Sequence, residues 1–176
     1  MTLHPYPTSL DAGQTAARLP YPLLVTELIR LLKDESVQVP QRVVQALPGG
    51  GSLFVMPALD ARTAIAKLIT LTPANAGSGL PAIQGDVVVF GVASGRRKLM
   101  LDGPTVTARR TAAVSLLAAQ RLAPNTRGPM LIVGAGVQGV AHLEAFAQGL
   151  GCATSASPRA ATPAPRPWRS TRNRWA

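Results

Sequence analysis

The stretch LIVGAGVQG, residues 131–139, decides how the fold of this chain is interpreted. The apolar residues at its start predict a strand over residues 129–133, and the residues after it predict a helix from about 137 to 149. Between them, Gly134 permits a tight turn, Gly136 lets a pyrophosphate approach the backbone, and Gly139 lets helix and strand lie close together. A helix N-terminus also supplies amide donors to phosphates. The stretch therefore predicts the first βα unit of a dinucleotide-binding domain; a tight turn without a ligand is the alternative.

Composition limits the class of protein around this turn. Of the 176 residues, 47% are hydrophobic and 15% are charged, which suits a packed core. No apolar run reaches the roughly 18 residues of a membrane span, and the N-terminus lacks a basic-then-apolar signal pattern. The single Cys152 has no partner for an internal disulfide, and no His/Cys cluster has the spacing of metal ligands. We therefore expect a cytoplasmic protein with no membrane partner and no metal.

The positive charge is concentrated at the end of the chain. Residues 152–176 hold five arginines and no acidic residue, so they carry half of the net charge of +10. They contain no Leu, Ile, Val, Met or Phe. The segment is a disordered tail, a basic arm that binds phosphates, or a GC-rich gene translated out of frame.

We favour the frame disruption. A reading shifted one base upstream can encode an apolar strand that ends in Ser-Arg-Ser, where a second Rossmann strand would meet the cofactor ribose. The chain would then be truncated after residue 151, and the arginines would not indicate a nucleic-acid partner.

The residues before the glycine turn predict a mostly antiparallel α+β domain. Residues 19–36 predict an amphipathic helix that begins near Pro20 and Pro22. Residues 39–59 predict a hairpin broken at 49–51, residues 63–73 a buried strand, and residues 86–103 a hairpin that turns at Ser94-Gly95. A further helix is expected to run to Pro124. The leucines expected on one face of the first helix are Leu24, Leu28, Leu31 and Leu32.

The helix ends and domain boundaries are predicted as follows. Thr105 or Thr107 caps the helix that runs to Pro124. The last helix is expected to turn four residues toward a sheet: Val140, Leu143, Ala147 and Leu150. The fold class is thus α/β, with an α+β substrate-binding and dimerisation domain over residues 1–125, the start of a Rossmann domain over 126–151, and the tail over 152–176.

Basic residues are the candidates for chemistry. Arg109 and Arg110 lie near a helix start, where the dipole favours acids, so the pair indicates anion binding. Arg42 and Lys67 lie within apolar stretches, where a cation is costly without a carboxylate. Each of them either binds a substrate or forms a structural ion pair. His142 is expected to have a packing or capping role.

Together these stretches resemble the ornithine cyclodeaminase/mu-crystallin family over roughly residues 15–151. The resemblance rests on RLPYPLL, VMPALD, AIAKLIT, LMLDGPTVTARRTAAVS and LIVGAGVQGVAHLEAF. The LDGPTVTARRTAAVS segment is most similar to the ketimine reductases that act on Δ1-pyrroline-2-carboxylate and Δ1-piperideine-2-carboxylate.

The resemblance implies a homodimer formed through the N-terminal domain and a Rossmann domain that binds NADPH or NADH. It implies hydride transfer to a C=N carbon beside a carboxylate, with Arg42, Lys67 and Arg110 binding the substrate and Lys67 as the catalytic residue. The residues implied in cofactor binding are Arg110, Thr111, Gly134, Ala135, Gly136, Val137, Gln138 and Gly139. Family members continue well beyond residue 151, so this chain would be inactive as it stands.

Two other functions stay open within the resemblance. An ornithine cyclodeaminase would use NAD to form proline and release ammonia. A mu-crystallin-like protein would bind NADPH and small ligands without turnover. Neither the ring size of the substrate nor the choice between NADPH and NADH follows from these residues.

Overall fold

The structure, a computed structural model, describes residues 8–150. Within this range, one strand and two helices are followed by five consecutive strands and then by two further helices. The strands are β1 (Thr8–Leu10), β2 (Val43–Leu47), β3 (Gly51–Leu59), β4 (Thr63–Leu71), β5 (Ile83–Gly91) and β6 (Arg97–Asp102). The α-helices are α1 (Ala12–Arg18), α2 (Tyr21–Leu32), α3 (Gly103–Leu122) and α4 (Val137–Leu150), with a single 3₁₀ turn at Pro73–Asn75.

The six strands form one sheet in the order β1-β6-β5-β4-β3-β2. Every neighbouring pair is antiparallel except β1 and β6, which are parallel. The two predicted hairpins are confirmed. The first turns through Gly49 and Gly50, and the second through Gly95; all three have positive φ angles.

The start of the chain is fixed by polar contacts. Asp11 caps α1 by accepting from the Gln14 amide, and the Gln14 side chain accepts in return from the Asp11 amide. The fully buried Thr15 hydroxyl donates to the Leu10 carbonyl and accepts from the Asp102 amide at 3.1 Å. Thr15 thus joins α1 to the point where β6 becomes α3.

The start of α3 lies directly against the sheet. Its cap is Asp102, whose carboxylate accepts from the Thr105 amide at 2.8 Å; the prediction of Thr105 or Thr107 as the cap was wrong. A carboxylate directly before the helix satisfies a free amide better than a hydroxyl already inside the first turn. Gly103 makes the approach close, since a Cβ there would lie 2.6 Å from the Gly85 carbonyl oxygen and 2.8 Å from Ile69.

The helices α2, α3 and α4 enclose the main core. Its buried residues are Tyr21, Val25, Ala108, Ala112, Ala113, Leu116, Ala141 and Ala145. The prediction for α2 is correct for Leu24 and Leu28, which pack against this core. It was wrong for Leu31 and Leu32, which are 40% and 75% exposed. Leu32 instead lines an open groove of about 440 Å³ between α2 and α3.

The prediction for the face of α4 is correct for Leu150, which packs against the main core, but wrong for Val140 and Ala147. Ala141 and Ala145 are buried, whereas Val140 is half-exposed and Ala147 is exposed. The reason is that α4 packs on α3 rather than on a sheet. The approach is close at Gly149, where a Cβ would lie 2.3 Å from Leu116.

The strand predicted over residues 129–133 does not form. Residues 131–135 form no regular secondary structure, and Met130 holds a single bridge position. A strand requires a neighbour that pairs with its backbone, and the six-stranded sheet ends at β1 and β2 without reaching this segment. Leu131 and Val133 are therefore 75% and 87% exposed.

The predictions for residues 152–176 and for His4 lie outside the described residues. Between residues 8 and 150, no helix is both long and apolar enough to cross a membrane. In the same range, no group of three or more His, Cys, Asp or Glu side chains is placed to hold a metal ion.

Candidate functional site

A cationic site lies between β4 and the first turns of α3, and we call Lys67, Thr107 and Arg110 the basic site. The Lys67 ammonium donates to the Thr107 hydroxyl at 2.6 Å, and this hydroxyl donates to the Gly103 carbonyl at 2.7 Å. Thr107 and Arg110 are three residues apart on α3 and share a helix face. Among the described residues, neither Lys67 nor Arg110 forms an ion pair with a carboxylate.

Lys67 is held in an environment that disfavours its charge. Burial lowers the pKa of Lys67 below its ordinary value of 10.5, and the nearby Arg110 guanidinium lowers this pKa further. A structural ion pair would have the opposite effect, because a carboxylate favours the ammonium form. Of the two roles predicted for Lys67, the geometry favours the binding of an anion.

Replacing Lys67 with methionine is expected to stabilise the fold at neutral pH. Because its pKa is depressed, folded Lys67 binds fewer protons than unfolded Lys67 between the lowered pKa and 10.5, so wild-type stability rises with pH in this window. We expect Lys67→Met to raise Tm at pH 7 by about 1–3 °C, a small gain because solvent screens the partly exposed ammonium. The gain should shrink as the pH approaches 10.5. Thermal unfolding between these pH values measures it.

Lys98→Met is the matched control, because it removes the same charge from an exposed position on β6. It should leave Tm nearly unchanged over the same pH range. A lower Tm for Lys67→Met at neutral pH would show that the ammonium stabilises the fold. This result would contradict the assignment of Lys67 to an anion-binding site.

Arg42 lies at the edge of the same sheet, directly before β2. The register pairs Val43 with Val55, and it pairs Met56 with Lys67. Continuing the first register by one residue sets Arg42 opposite Met56. Arg42 would then be two strands from Lys67, about 10 Å away at the usual strand spacing. Arg42 is exposed and has no ion-pair partner within residues 8–150.

A second feature, which we call the glycine cleft, lies on the other side of α3. This cleft has a volume of about 500 Å³. Residues from α3, from the glycine turn and from α4 line it, with Ala16 and Tyr21 at one end. Those from the glycine turn are Ala135, Gly136 and Val137.

The glycines of this turn differ in what they permit. Gly134 has a φ of +112°, which favours glycine. A Cβ on Gly139 would lie 2.0 Å from the Gly134 carbonyl oxygen, so the turn folds tightly onto the helix start. A Cβ on Gly136 would meet nothing within 4 Å. The space beside Gly136 is therefore available to a ligand, as a phosphate at the N-terminus of α4 would require.

Arg109 lines the glycine cleft as part of a group that we call the clasp: Tyr21, Arg109 and Glu144. The Arg109 Nε donates to the Leu19 carbonyl at 2.7 Å, and its guanidinium lies 4.0 Å from the centroid of the Tyr21 ring. Its Nη1 is 3.6 Å from Glu144 Oε2, and the Tyr21 hydroxyl donates to the same oxygen at 3.3 Å. Arg109 thus has partners on α2 and α4.

The sequence-based site residues are divided between these two features. Lys67 and Arg110 come together in the basic site, while Ala135, Gly136 and Val137 line the glycine cleft. Arg110 and Thr111 are not among the residues that line the cleft. The Thr111 hydroxyl donates to the Thr107 carbonyl at 2.7 Å. A role for Arg110 and Thr111 in binding the cofactor therefore stays a prediction.

Two further residues show what the sequence analysis found and missed. His142 makes structural contacts: its ring nitrogens lie 2.6 Å from the Gln138 carbonyl oxygen and 2.9 Å from the Ser115 hydroxyl, and its ring stacks against Phe146 with centroids 6.4 Å apart. Thr107 was considered only as a cap, although it is the partner of Lys67. The signal for it was its position three residues before Arg110.

A glycine-rich turn that leads into a helix is typical of the class of proteins that bind a dinucleotide. Within this class, the chain belongs to the ornithine cyclodeaminase/mu-crystallin family, whose family model matches residues 22–155.

Two curated relatives are reductases of cyclic imines. The Delta(1)-pyrroline-2-carboxylate reductase 1 of Burkholderia multivorans is 42% identical over 139 residues, which are 77% of this chain and 44% of the relative. The Delta(1)-pyrroline-2-carboxylate/Delta(1)-piperideine-2-carboxylate reductase of Azospirillum brasilense is 39% identical over 148 residues, 82% of this chain and 47% of the relative. The chain therefore spans less than half the length of these relatives.

A solved structure shares the fold. An archaeal alanine dehydrogenase dimer with bound NAD is 25% identical to the chain and superimposes with a TM-score of 0.70. The match covers 85% of this chain and 48% of that protein. The α/β fold class is thus confirmed.

Proposed function

We propose that the chain supplies the substrate site and the first part of the cofactor site of an NAD(P)H-dependent reductase of cyclic imino acids. The substrates would be Δ1-pyrroline-2-carboxylate and Δ1-piperideine-2-carboxylate, and the products proline and pipecolate. One observation carries the proposal: Lys67 and Arg110 lie together without an acidic partner in the described part of the chain. The names of the two bacterial relatives support the substrate class.

The substrate carboxylate would bind in the basic site. A guanidinium presents a fork that matches a carboxylate with two parallel hydrogen bonds, so Arg110 is the main anchor. Arg42 would approach the opposite side of the substrate from the edge of the sheet. The carboxylate would also relieve the repulsion between Lys67 and Arg110, because it introduces the negative charge that the site lacks.

Lys67 would handle the proton. Reduction of a C=N bond adds a hydride to carbon and leaves nitrogen to be protonated, so a donor must lie beside that nitrogen. A lysine whose pKa is lowered by burial releases its proton more readily than an ordinary lysine. The Thr107 hydroxyl fixes the Lys67 ammonium at 2.6 Å, so the proton would be delivered from a defined position.

The dinucleotide would bind at the glycine cleft. Its phosphates would lie beside Gly136 and the amides of Val137, Gln138 and Gly139, which begin α4 and have no partners within the helix. The whole turn from Gly134 to Gly139, including Ala135, would take part, with Arg110 and Thr111 at the nicotinamide end. When bound, the nicotinamide supplies the hydride. The open space at Gly136 fits this group.

The rest of the proposal concerns the protein around the site. We propose a cytoplasmic homodimer formed through residues 1–125, in which the dinucleotide domain begins at residue 126. We further propose that residues 152–176 arise from a shifted reading frame and that turnover requires the residues that a restored frame would encode. The relatives extend to more than twice the matched length.

The test compares two proteins: the chain of 176 residues and a version that continues past residue 151 in the upstream-shifted frame. We expect NADPH oxidation that depends on Δ1-pyrroline-2-carboxylate or Δ1-piperideine-2-carboxylate in the continued version only. Spectrophotometry at 340 nm would measure it. Ammonia release from ornithine in place of imine reduction would identify a cyclodeaminase. Binding of NADPH and imine without turnover would identify a ligand-binding protein.

A further inference from the structure

The clasp includes an acidic residue, Glu144, in a cleft that is proposed to bind phosphates. Glu144 lines the same cleft as Gly136 and Val137, and a dinucleotide brings two negative phosphates into that cleft. Glu144 lies seven residues after Val137 in α4, about 10 Å along the helix axis. An unpaired carboxylate at this distance would repel the phosphates.

The structure shows how the charge of Glu144 is compensated. Arg109 Nη1 is 3.6 Å from Glu144 Oε2, and the Tyr21 hydroxyl donates to the same oxygen. Arg109 cannot turn away freely, because its Nε is bonded to the Leu19 carbonyl and its guanidinium lies on the Tyr21 ring. Its side chain is only 14% exposed, whereas that of Glu144 is 48% exposed. The position of the Arg109 guanidinium is therefore fixed by the fold, and the charge of Glu144 is neutralised only while Arg109 is present.

We propose that Arg109 is a positioning residue for the dinucleotide. Arg109 neutralises Glu144 and so keeps the glycine cleft able to bind phosphates. This inference rests on the proposed function, because it assumes that the cleft holds a dinucleotide. It assigns to Arg109 a role different from that of its neighbour Arg110: Arg110 faces the substrate site, and Arg109 controls the charge of the cofactor site.

A double-mutant cycle on the whole chain tests the proposal. Isothermal titration would measure the Kd of NADPH and of inorganic pyrophosphate for the wild type, Arg109→Met, Glu144→Gln and the double variant. We expect Arg109→Met to weaken binding about three- to tenfold in low salt of about 10 mM. Glu144→Gln should strengthen it by a similar factor, because it leaves the Arg109 charge unpaired, and the double variant should return binding to within about twofold of the wild type.

Two further measurements separate charge from packing. Arg109→Lys keeps the charge but loses the fork, and it should bind about as well as the wild type. The loss in Arg109→Met should also shrink in about 1 M salt, where the Debye length is about 3 Å. Circular dichroism would establish that each variant is folded. If Arg109→Met is unfolded, Arg109→Gln takes its place in the cycle, because it also removes the charge while keeping a polar side chain.

The possible outcomes are distinct. If the wild type binds NADPH or pyrophosphate but the double variant stays as weak as Arg109→Met, or Arg109→Lys binds as weakly as Arg109→Met, the proposal is wrong and Arg109 acts by packing or by direct contact. If the wild type binds neither probe, the proposal falls together with the cofactor site of the proposed function.

Discussion

Replacing Arg110 with methionine is expected to weaken the binding of L-proline, the product of the proposed reaction, about 100-fold. A bidentate, charge-assisted pair of hydrogen bonds between a guanidinium and a carboxylate contributes about 2–3 kcal/mol to binding. Methionine removes this interaction while keeping much of the side-chain volume. Arg110→Lys should weaken proline binding about tenfold, because an ammonium keeps the charge but cannot form the bidentate hydrogen bonds of a guanidinium. Titration calorimetry on the folded chain measures the three dissociation constants.

Arg96→Met is the matched control for this series. Arg96 is an exposed arginine between β5 and β6 whose side chain forms no ion pair among residues 8–150. Its replacement should leave proline binding unchanged, so that the loss at Arg110 cannot be attributed to net charge. Equal binding by Arg110→Met and the wild type would move the carboxylate away from the basic site and remove the main support for the proposed function.

Replacing Gly85 with alanine is expected to have the largest effect on stability. Gly85 has a φ of +139°, and a Cβ there would lie 2.0 Å from the Leu68 carbonyl oxygen and 2.9 Å from the Ile69 Cα. Backbone atoms cannot move aside without breaking the pairing of β4 with β5. We expect a loss of about 3 kcal/mol or more in the free energy of unfolding. Chemical denaturation followed by circular dichroism measures it.

Gly50→Ala separates the two causes of this loss. Gly50 also has a positive φ of +91°, but a Cβ there would meet nothing within 4 Å. Its replacement should therefore cost only the backbone strain, about 1 kcal/mol. If Gly85→Ala lowers the free energy of unfolding by no more than Gly50→Ala does, the strands around Gly85 can move apart to make room for the Cβ. The close contact between β5 and Gly103 would then not fix the start of α3.

The elements that depend on neighbouring residues could be predicted from the sequence. In each of the two hairpins, the glycines of the turn lie in the sequence directly between the two strands, and both hairpins are confirmed. The pairing of Thr8 with Leu99, by contrast, joins residues far apart in the chain, and β1 has no local pattern that reveals it. The capping pair Asp11 and Gln14 is a local signal for α1, a helix that lies before the first predicted helix.

The candidate site was predictable in its residue types but not in its geometry. A lysine in an apolar strand indicates either an ion pair or a ligand, and only the contact with Thr107 and the approach of Arg110 favour the ligand. Arg109 and Arg110 are adjacent in the sequence. Their neighbours differ because helix geometry turns the two side chains about 100° apart. That difference becomes visible only when the partners of α3 are known.

The exposed apolar segment at residues 131–133 has a practical consequence for work with this chain. Leu131 and Val133 are 75% and 87% exposed in a segment without regular secondary structure, and such an apolar segment can pair with a second molecule as an added β-strand. Self-association through it would increase with protein concentration and would compete with ligand binding at the adjoining glycine turn. Protein concentration therefore belongs among the controlled variables of any titration, together with salt and pH.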